Sequence, residues 1–277
     1  MITPLDYFAA LVQQDTSIPL FEAGLTLAQD SDPQFDLGGA QAEVDLMAAK
    51  LHKRIPTDTA AIQKLRLLNH YFYVELGFGG NINNYYDPDN SYLHRVTRTR
   101  RGIPISLAMI YIEIAQQIGL DVCGISFPGH FLMKLSTQSG EIILDPVNGN
   151  SLSREELEER LAPFANQIRQ AGKPLSTYLE PASARDILTR MLRNLKSLFF
   201  EYDRWQSLLD VQQRLLILLP GDVAERRDRG LAYAHLDCPN PALEDIEAYL
   251  AARPDAADAE VLREQLPSLK AAIRRIN

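Results

Sequence analysis

Two residues suited to acid–base chemistry lie on a predicted β-hairpin of this chain. Apolar runs at 129–135 and 141–145 flank a polar turn at 136–139, which predicts two antiparallel strands. A hairpin centred on that turn gives three cross-strand pairs: Lys134 with Glu141, Leu132 with Ile143, and His130 with Asp145. A carboxylate beside an imidazole fixes its tautomer, so the ring can accept a proton from a nucleophile. The pattern is typical of acyl-transfer chemistry.

A predicted buried helix precedes the hairpin and has the right position to carry a nucleophile. Residues 108–119 are apolar on nearly every side, Pro104 suits the first turn, and Gly119 suits the C-terminal end. Unpaired N–H groups at a helix N-terminus raise the acidity of a nucleophile placed there. Helical periodicity in the first eighty or so residues predicts a helical N-terminal layer. We therefore predict an α+β fold with a small antiparallel sheet.

Four segments resemble the transglutaminase-like superfamily, and more closely the SirB-type family, whose members join such a domain to tetratricopeptide repeats. The segments are Asp87-Pro-Asp-Asn-Ser-Tyr-Leu93, Arg101-Gly-Ile-Pro-Ile-Ser-Leu-Ala108, Pro128-Gly-His-Phe-Leu132 and Leu144-Asp-Pro-Val-Asn-Gly149. The resemblance implies a papain-like domain in which His130 and Asp145 are the histidine and aspartate of the active site.

The same resemblance implies a catalytic cysteine two residues after Gly102, where this chain has Pro104. Proline has no nucleophilic group. Ser106 is the nearest hydroxyl, and either it is the nucleophile of a triad with His130 and Asp145 or it caps and packs the helix. A shift of two residues rotates a side chain by about 200° around the helix axis, which favours capping. His130 and Asp145 have a structural alternative as well, in which they tie the hairpin together.

A run of arginines beside these segments suggests a second kind of site, for a small anion. Residues 94–101 contain four arginines and follow a loop rich in asparagine, and Asn90 and Arg101 are the binding candidates. Surface arginines more often pair with nearby carboxylates, so both interpretations stay open.

The last third of the chain has a repeat signature. Pro220 and Pro254 lie 34 residues apart, each after one predicted helix and before another. The residues between them that resemble a tetratricopeptide repeat are Gly230, Tyr233 and Ala242. Arg226 and Arg229 replace a large aromatic residue and a leucine of that pattern, and we expect them, with Arg227, to give the concave face a positive charge that favours acidic peptides. A non-repeat helical bundle is the alternative.

The predicted domains are a transglutaminase-like domain with its helical layer at 1–166, a linker at 167–181, and an all-α tetratricopeptide-like domain at 182–277. The composition, 46% hydrophobic and 23% charged, is that of a globular protein, and the net charge of −8 argues against a general nucleic-acid binder. We expect a cytoplasmic protein without a membrane span, because no apolar run reaches about 18 residues. The spacing of histidines and cysteines predicts no metal site, and no cofactor is expected.

Two functions of different classes follow. The first is a non-catalytic adaptor or regulatory protein whose helical repeats bind a protein partner. The second is an acyl-transfer enzyme, an amide or ester hydrolase, that uses Ser106, His130 and Asp145. Pro104 favours the first. A hydrogen-bonding distance between the Ser106 hydroxyl and His130 favours the second.

Overall fold

A computed structural model describes residues 2–138, 140–166 and 172–276 of the 277-residue chain. The described residues group into two compact units, Leu11–Met191 and residues 2–10 together with 192–276. The first unit contains both sheets, whereas the second is helical. The α+β class predicted from the sequence is confirmed.

The helices of the first part of the chain have apolar faces with the predicted spacing. They are α1 (Pro4–Leu11), α2 (Leu20–Leu25), α3 (Leu37–His52), α4 (Ala61–Asn69), α5 (Leu93–Thr99), α6 (Pro104–Gln117) and α7 (Arg154–Leu161). A π-helix, His70–Glu75, continues α4. In α3 the buried residues are Val44, Met47, Ala48 and Leu51, which lie on one face. Asp36 caps this helix by accepting a hydrogen bond from the backbone N–H of Gly39.

Helix α6 is the buried helix that the sequence predicts. Ile105 and every residue after it to Ile112 are buried, as are Ile114 and Ala115. Pro104 occupies the first turn, where its missing N–H leaves no hydrogen bond unmade. Gly119 has a φ of +72°, a left-handed conformation that ends the helix at the predicted place.

The sheets of the first unit are small. An antiparallel sheet has the order β3 (Val122–Ile125), β4 (Leu132–Thr137), β5 (Gly140–Leu144). The second sheet is a parallel pair of two-residue strands, β1 (Gly79–Gly80) and β2 (Arg101–Gly102). It places the residues just before α6 beside the segment that follows the π-helix.

The β4–β5 hairpin forms, but the predicted register is wrong by two residues. Lys134 pairs with Ile143 instead of Glu141. Cross-strand pairing continues to Thr137, so the strands extend further than a turn at 136–139 allows; Ser139 of that turn lies outside the described residues. A shift of two residues keeps every side chain on its predicted face. Lys134 therefore still reaches Glu141, with 2.9 Å between Nζ and Oε1, as a diagonal neighbour.

The second unit contains the predicted helical repeats. Its helices are α8 (Ala184–Glu201), α9 (Trp205–Leu218), α10 (Val223–His235), α11 (Pro239–Ala252) and α12 (Ala259–Ile276). Both ends of α9 lie 34 residues before the corresponding ends of α11, since 239 − 205 = 34 and 252 − 218 = 34. The spacing of the two prolines thus reflects a true structural repeat.

Gly230 is the small residue at which α10 and α11 pack together. A Cβ atom at this position would lie 3.0 Å from Asp245 Cβ and from Ile246 Cγ1, and 3.3 Å from the carbonyl oxygen of Ala242. No larger side chain fits at this distance without a shift of α11. The glycine of the repeat pattern is therefore required by packing.

The compact units divide the chain at a different place from the predicted linker at 167–181. Residues 167–171 of that linker lie outside the described part. The remainder includes a 3₁₀ turn, Leu175–Leu179, which packs against a core cluster of the first unit. The backbone N–H of Ala182 then donates a 2.9 Å hydrogen bond to the carbonyl oxygen of Gly124. These contacts place 172–191 in the first unit, and the boundary lies inside α8.

The first ten residues also differ from the predicted division, because they group with the helical repeats. Phe8 is fully buried, and the guanidinium carbon of Arg214 lies 4.8 Å from the centre of its ring. A cation over an aromatic face is a favourable contact, most of all where it is shielded from water. The predicted helical N-terminal layer of the first domain therefore does not include these residues.

Candidate functional site

Ser106 lies in the first turn of α6 and is fully buried. Its hydroxyl oxygen is 2.6 Å from the carbonyl oxygen of Asn90 and 3.0 Å from that of Ile103, and it accepts a 3.2 Å hydrogen bond from the Ile103 N–H. The single hydroxyl proton is thus committed to backbone carbonyls. Among the described residues no hydrogen bond joins Ser106 to His130, so the predicted triad contact is not formed. The capping alternative describes this conformation.

Gly102 allows Ser106 to adopt this position. A Cβ atom on Gly102 would lie 2.7 Å from the Ser106 hydroxyl oxygen and 2.8 Å from Val96 Cγ1, closer than such atoms approach. Pro104 occupies the position two residues after Gly102, where the family resemblance implies a cysteine. Pro104, which has no nucleophilic group, thus stands in the first turn of α6.

Asp145 directly follows β5, and both of its carboxylate oxygens have partners other than His130. Oδ1 accepts a 2.9 Å hydrogen bond from the backbone N–H of Val147, and Oδ2 accepts a 2.7 Å hydrogen bond from Arg160 Nη2. Arg160 lies near the end of α7, which begins with the predicted capping box: Ser153 accepts from the Glu156 N–H, and the Glu156 carboxylate accepts from the Ser153 N–H. The capped helix thus supplies the arginine that pairs with Asp145.

His130 lies in the turn before β4 and is half-buried. Burial lowers the pKa of His130 below its usual 6.5, the positive charges of Arg160 and Arg190 lower it further, and the negative charge of Asp145 opposes them. The ring is therefore mainly neutral at pH 7. Among the described residues no hydrogen bond links the His130 ring to Asp145. The charge of Asp145 still affects the ring, but the predicted His–Asp pair is not hydrogen-bonded.

Cys123 is a thiol of the first unit in partly buried surroundings. It lies in β3, half-buried, in the wall of a cavity of about 390 Å³, with its sulfur 3.7 Å from the carbonyl oxygen of Lys134. Burial raises the pKa of the Cys123 thiol, and the positive charge of Lys134 only partly opposes this effect. A thiol that stays protonated is a weak nucleophile.

Asn90 and Arg101, the candidates for an anion site, are used within the fold. Asn90 is buried, and its amide nitrogen donates to the carbonyl oxygens of Asn84 at 2.6 Å and Tyr85 at 3.2 Å. Its amide oxygen accepts from the Asn81 side chain at 2.9 Å. Arg101 Nη1 donates to the carbonyl oxygen of Gly77 at 2.5 Å. These contacts hold the polar loop against β2 and the start of α6, and they leave Asn90 with no group free for an anion.

Other arginines of the run at 94–101 have carboxylate or aromatic neighbours. Arg95 Nε lies 3.8 Å from Asp89 Oδ2, and Arg100 Nη2 lies 3.6 Å from Glu43 Oε1. The guanidinium of Arg100 also lies 4.7 Å from the centre of the Phe78 ring. The carboxylate-pairing alternative thus accounts for these two arginines.

Arg226 and Arg229 do not form a free cationic face, contrary to expectation. Both donate to Asp245, which is almost fully buried: Arg229 with two bonds of 2.7 and 2.9 Å, and Arg226 with one of 2.9 Å. Glu244 also lies 3.3 Å from Arg226, so two carboxylates of α11 face the two arginines of α10 across the helix pair.

Sequence reasoning missed Arg160 as the partner of Asp145. A basic residue in the last turn of the acidic helix Arg154–Leu161 gives a weak signal, and its pairing with Asp145 depends on the tertiary fold. Within the described ranges, no group of three or more His, Cys, Asp or Glu side chains has the geometry of a metal site. Nor does any described helix have the length and apolar character needed to cross a membrane.

Comparison with known proteins gives consistent matches over nearly the whole chain. A family model of the transglutaminase-like superfamily matches residues 39–193, and a tetratricopeptide-repeat model matches residues 195–267. A UPF0162 protein of Xylella fastidiosa (strain Temecula1) is 37% identical over 270 residues, which cover 97% of this chain and 96% of the relative.

Relatives with other names match over slightly shorter lengths. Protein SirB1 of Salmonella typhimurium is 28% identical over 228 residues, 82% of this chain and 84% of SirB1. The UPF0162 protein YchA of Escherichia coli (strain K12) is 27% identical over 227 residues, 82% of each chain. No solved structure matches. The chain therefore belongs to the transglutaminase-like superfamily and, within it, to the family of the UPF0162 proteins and SirB1, in which a tetratricopeptide-repeat region follows the transglutaminase-like region.

Proposed function

We propose that this protein is a non-catalytic adaptor or regulatory protein. In this proposal the transglutaminase-like region is a scaffold that lacks a nucleophile, and the helical repeats bind a protein partner. The observation that carries the first part concerns Ser106, the hydroxyl nearest to Pro104 in the sequence. Its side chain is buried and donates a 2.6 Å hydrogen bond to the carbonyl oxygen of Asn90.

The surroundings of His130 support the same proposal. A general base in an acyl-transfer site needs a carboxylate that orients the ring and a nucleophile within hydrogen-bonding distance. Asp145 is instead paired with Arg160. This ion pair is partly buried, and it is consistent with a structural role for the aspartate.

The repeat region supports the second part. Tetratricopeptide repeats generally mediate protein interactions, and their stacked helix pairs expose large surfaces for a partner. Large apolar side chains are exposed on α8 and α12, with Phe200 60% and Val261 58% accessible. The ring of Phe200 also packs edge-on against Trp205, with 5.8 Å between the ring centres, so its exposed surface belongs to a small apolar patch.

The absence of catalysis is tested with the full-length protein and three substrate classes: activated esters, peptide amides, and a glutamine amide with an amine acceptor. The matched control is His130→Ala. We expect the same background rate with both proteins. Turnover by the wild type that disappears in His130→Ala would overturn the non-catalytic part of the proposal.

Partner binding is tested by photocrosslinking in cells. A photoreactive amino acid replaces Phe200 or Val261 in the repeat region, or Leu46, which has a similar accessibility of 55% on α3 of the first unit. We expect a discrete crosslinked protein from a repeat position and none from Leu46. Crosslinks from Leu46 alone, or from no position, would contradict the assignment of partner binding to the repeats.

A further inference from the structure

Arg190 is a half-buried arginine of α8, and it has no carboxylate partner among the described residues. Its Nη1 atom donates two hydrogen bonds of 2.9 Å, one to the hydroxyl oxygen of Ser126 and one to the carbonyl oxygen of Phe127. Its guanidinium carbon also lies 5.7 Å from the centre of the Phe131 ring. These neighbours hold the group in place, but none of them carries a negative charge. The positive charge of Arg190 is therefore fixed and unbalanced.

Burial makes this unbalanced charge unfavourable. It lowers the pKa of Arg190 below its usual value, and the ionisable group that opposes this effect is the phenol of Tyr85, which is not a carboxylate. Burial also lowers the pKa of Arg100 in the same unit, but Arg100 has Glu43 Oε1 3.6 Å away. A charge removed from water is normally paired. Arg190 lacks such a pair, and an anionic ligand would supply it.

A ligand can reach the N–H groups of Arg190 that the fold leaves unused. Nη1 serves Ser126 and Phe127, whereas Nε and Nη2 have no acceptor within the described part of the chain. Neither nitrogen belongs to the described side-chain atoms that are both unpaired and closed off from solvent. Nε and Nη2 form the edge of a guanidinium that can hold both oxygens of a carboxylate at once. The accessible edge of Arg190 is thus the one suited to a carboxylate.

His130 brings a second unused hydrogen-bonding group to the same place. The carbonyl oxygen of Phe127 accepts a 3.1 Å hydrogen bond from the backbone N–H of His130 as well as the bond from Arg190. Gly129, with a φ of +68°, forms the turn that makes this sharing possible. The charge of Arg190 lowers the pKa of His130, so the two side chains are near enough to interact. Neither ring nitrogen of His130 has a hydrogen-bond partner among the described residues, which leaves the ring N–H for a ligand.

The charges around His130 leave one positive charge in excess. Arg160 and Asp145 also act on the ring, but they neutralise each other in a 2.7 Å ion pair. Arg190 adds its charge without a counter-charge. A carboxylate carries a single negative charge, whereas a phosphate group carries about 1.5 to 2 near pH 7 and would leave part of that charge unbalanced. The local charge therefore favours a carboxylate.

We propose that Arg190 and His130 form a binding site for a carboxylate group. Nε and Nη2 of Arg190 donate to its two oxygens, and the ring of His130 donates to one of them. A small carboxylic acid and the C terminus of a peptide present the same two oxygens, and the experiment distinguishes these two sources. Both residues lie in the first unit, so the site does not depend on partner binding by the repeats.

The test uses the full-length protein and the NMR signals of the His130 ring, which are identified by their loss in His130→Gln. Sodium acetate is added at pH 7, and sodium chloride keeps the ionic strength constant. A carboxylate beside the ring is expected to raise the pKa of His130, because a negative charge favours the protonated form. We expect a saturable shift of the ring signals, and affinity lower by about tenfold or more in Arg190→Gln, because a charge-assisted pair is lost.

Two variants and two peptides complete the test. Arg98→Gln removes the same charge at an exposed position of α5 and is expected to bind acetate like the wild type. Arg190→Lys keeps the charge but cannot hold both oxygens, so it is expected to bind more weakly, and it replaces Arg190→Gln if that variant does not fold. N-acetyl-trialanine is compared with its C-terminal amide. Tighter binding of the free acid than of acetate identifies a peptide C terminus as the ligand, and weaker binding identifies a small acid.

Several results would overturn the carboxylate site. Acetate that shifts the His130 signals no more than chloride does, or that binds Arg190→Lys as tightly as the wild type, contradicts the assigned contacts. An unchanged pKa of His130 in ligand-free Arg190→Gln means that the two side chains are not neighbours. Tighter binding by inorganic phosphate than by acetate, or equal binding of the peptide amide and the free acid, refutes the carboxylate assignment. The proposed function is decided separately, by the substrate assays and the crosslinking.

Discussion

Gln212, fully buried in the middle of α9, leads to a prediction about stability that is independent of any ligand. Gln212→Leu removes two buried polar atoms that have no partners among the described residues and replaces them with apolar atoms. The equivalent residue of the next repeat is Ile246, which is itself fully buried in an apolar cluster. Replacing buried polar atoms that lack hydrogen bonds by apolar atoms of similar size is expected to give a more stable protein.

The size of the effect follows from two opposing contributions. Burying an amide without a hydrogen bond costs about 1–3 kcal/mol in proteins. A leucine has nearly the volume of glutamine but a different shape, and imperfect packing of a similar-sized side chain costs up to about 1.5 kcal/mol. A cavity of about 380 Å³ beside residue 212 gives the leucine side chain room, so the lower part of this packing cost applies. We expect the free energy of unfolding of the second unit to rise by about 1–2 kcal/mol.

Urea unfolding followed by Trp205 fluorescence measures this change, since Trp205 lies in the same helix as Gln212. The matched variant Gln206→Leu removes an exposed amide that donates a 3.1 Å hydrogen bond to Asp210. That bond lies at the surface, so its loss is expected to change the free energy of unfolding by less than about 0.5 kcal/mol.

One result would refute the reasoning. If Gln212→Leu unfolds at the same or a lower urea concentration than the wild type, with an unchanged dependence on urea, the amide is not unpaired in the free protein. An increase in stability in both variants would also contradict the argument, because it would reflect leucine itself and not the burial of the amide.

Three further predictions concern the first unit. Gly102→Ala is expected to lower the free energy of unfolding by about 1–3 kcal/mol, because its Cβ would overlap the Ser106 hydroxyl, and urea denaturation measures the loss. Ser106→Ala is expected to cost about 1–2 kcal/mol by the same measurement, through the lost bond to the Asn90 carbonyl, and to leave the background rate in ester and amide assays unchanged. The pKa of His130, followed by NMR, is expected below 6.5 and to rise in Arg160→Gln, because one of the charges that lowers it is removed; a fall would contradict the assigned cause. Because the pKa of His130 is lower in the folded protein, the unfolded chain binds more protons near pH 6.5. His130 therefore contributes to the stability of the folded protein above pH 6.5, and this contribution decreases as the pH falls below that value.

Much of the first unit could be predicted from local patterns. The ends of α6 follow from a proline and a glycine, and α7 follows from a serine and a glutamate three residues apart. The β4–β5 hairpin was predicted with the correct faces and the wrong register. Apolar alternation repeats every two residues, so registers that differ by two bury the same side chains, and the pattern cannot distinguish them.

The candidate site was less predictable because its key contacts are long-range. The hydroxyl of Ser106 is held by a carbonyl 16 residues away in sequence, and Asp145 is held by Arg160, 15 residues further along. Neither partner has a marker in the local sequence. The motifs correctly indicated the family. The hydrogen bonds that argue against a Ser106–His130–Asp145 triad depend on the complete fold.

The ion cluster of Arg226, Arg229 and Asp245 has a consequence for how this family diverges. Loss of Asp245 alone would remove the carboxylate that Arg226 and Arg229 share and would leave Arg226 with Glu244, so the crossing would lose its central charge. Replacement of all three by apolar residues would restore the usual repeat contact, but the single steps pass through destabilised proteins. We expect these three positions to change together among descendants of a common ancestor, so that lineages separate into those with the charged crossing and those with the apolar one.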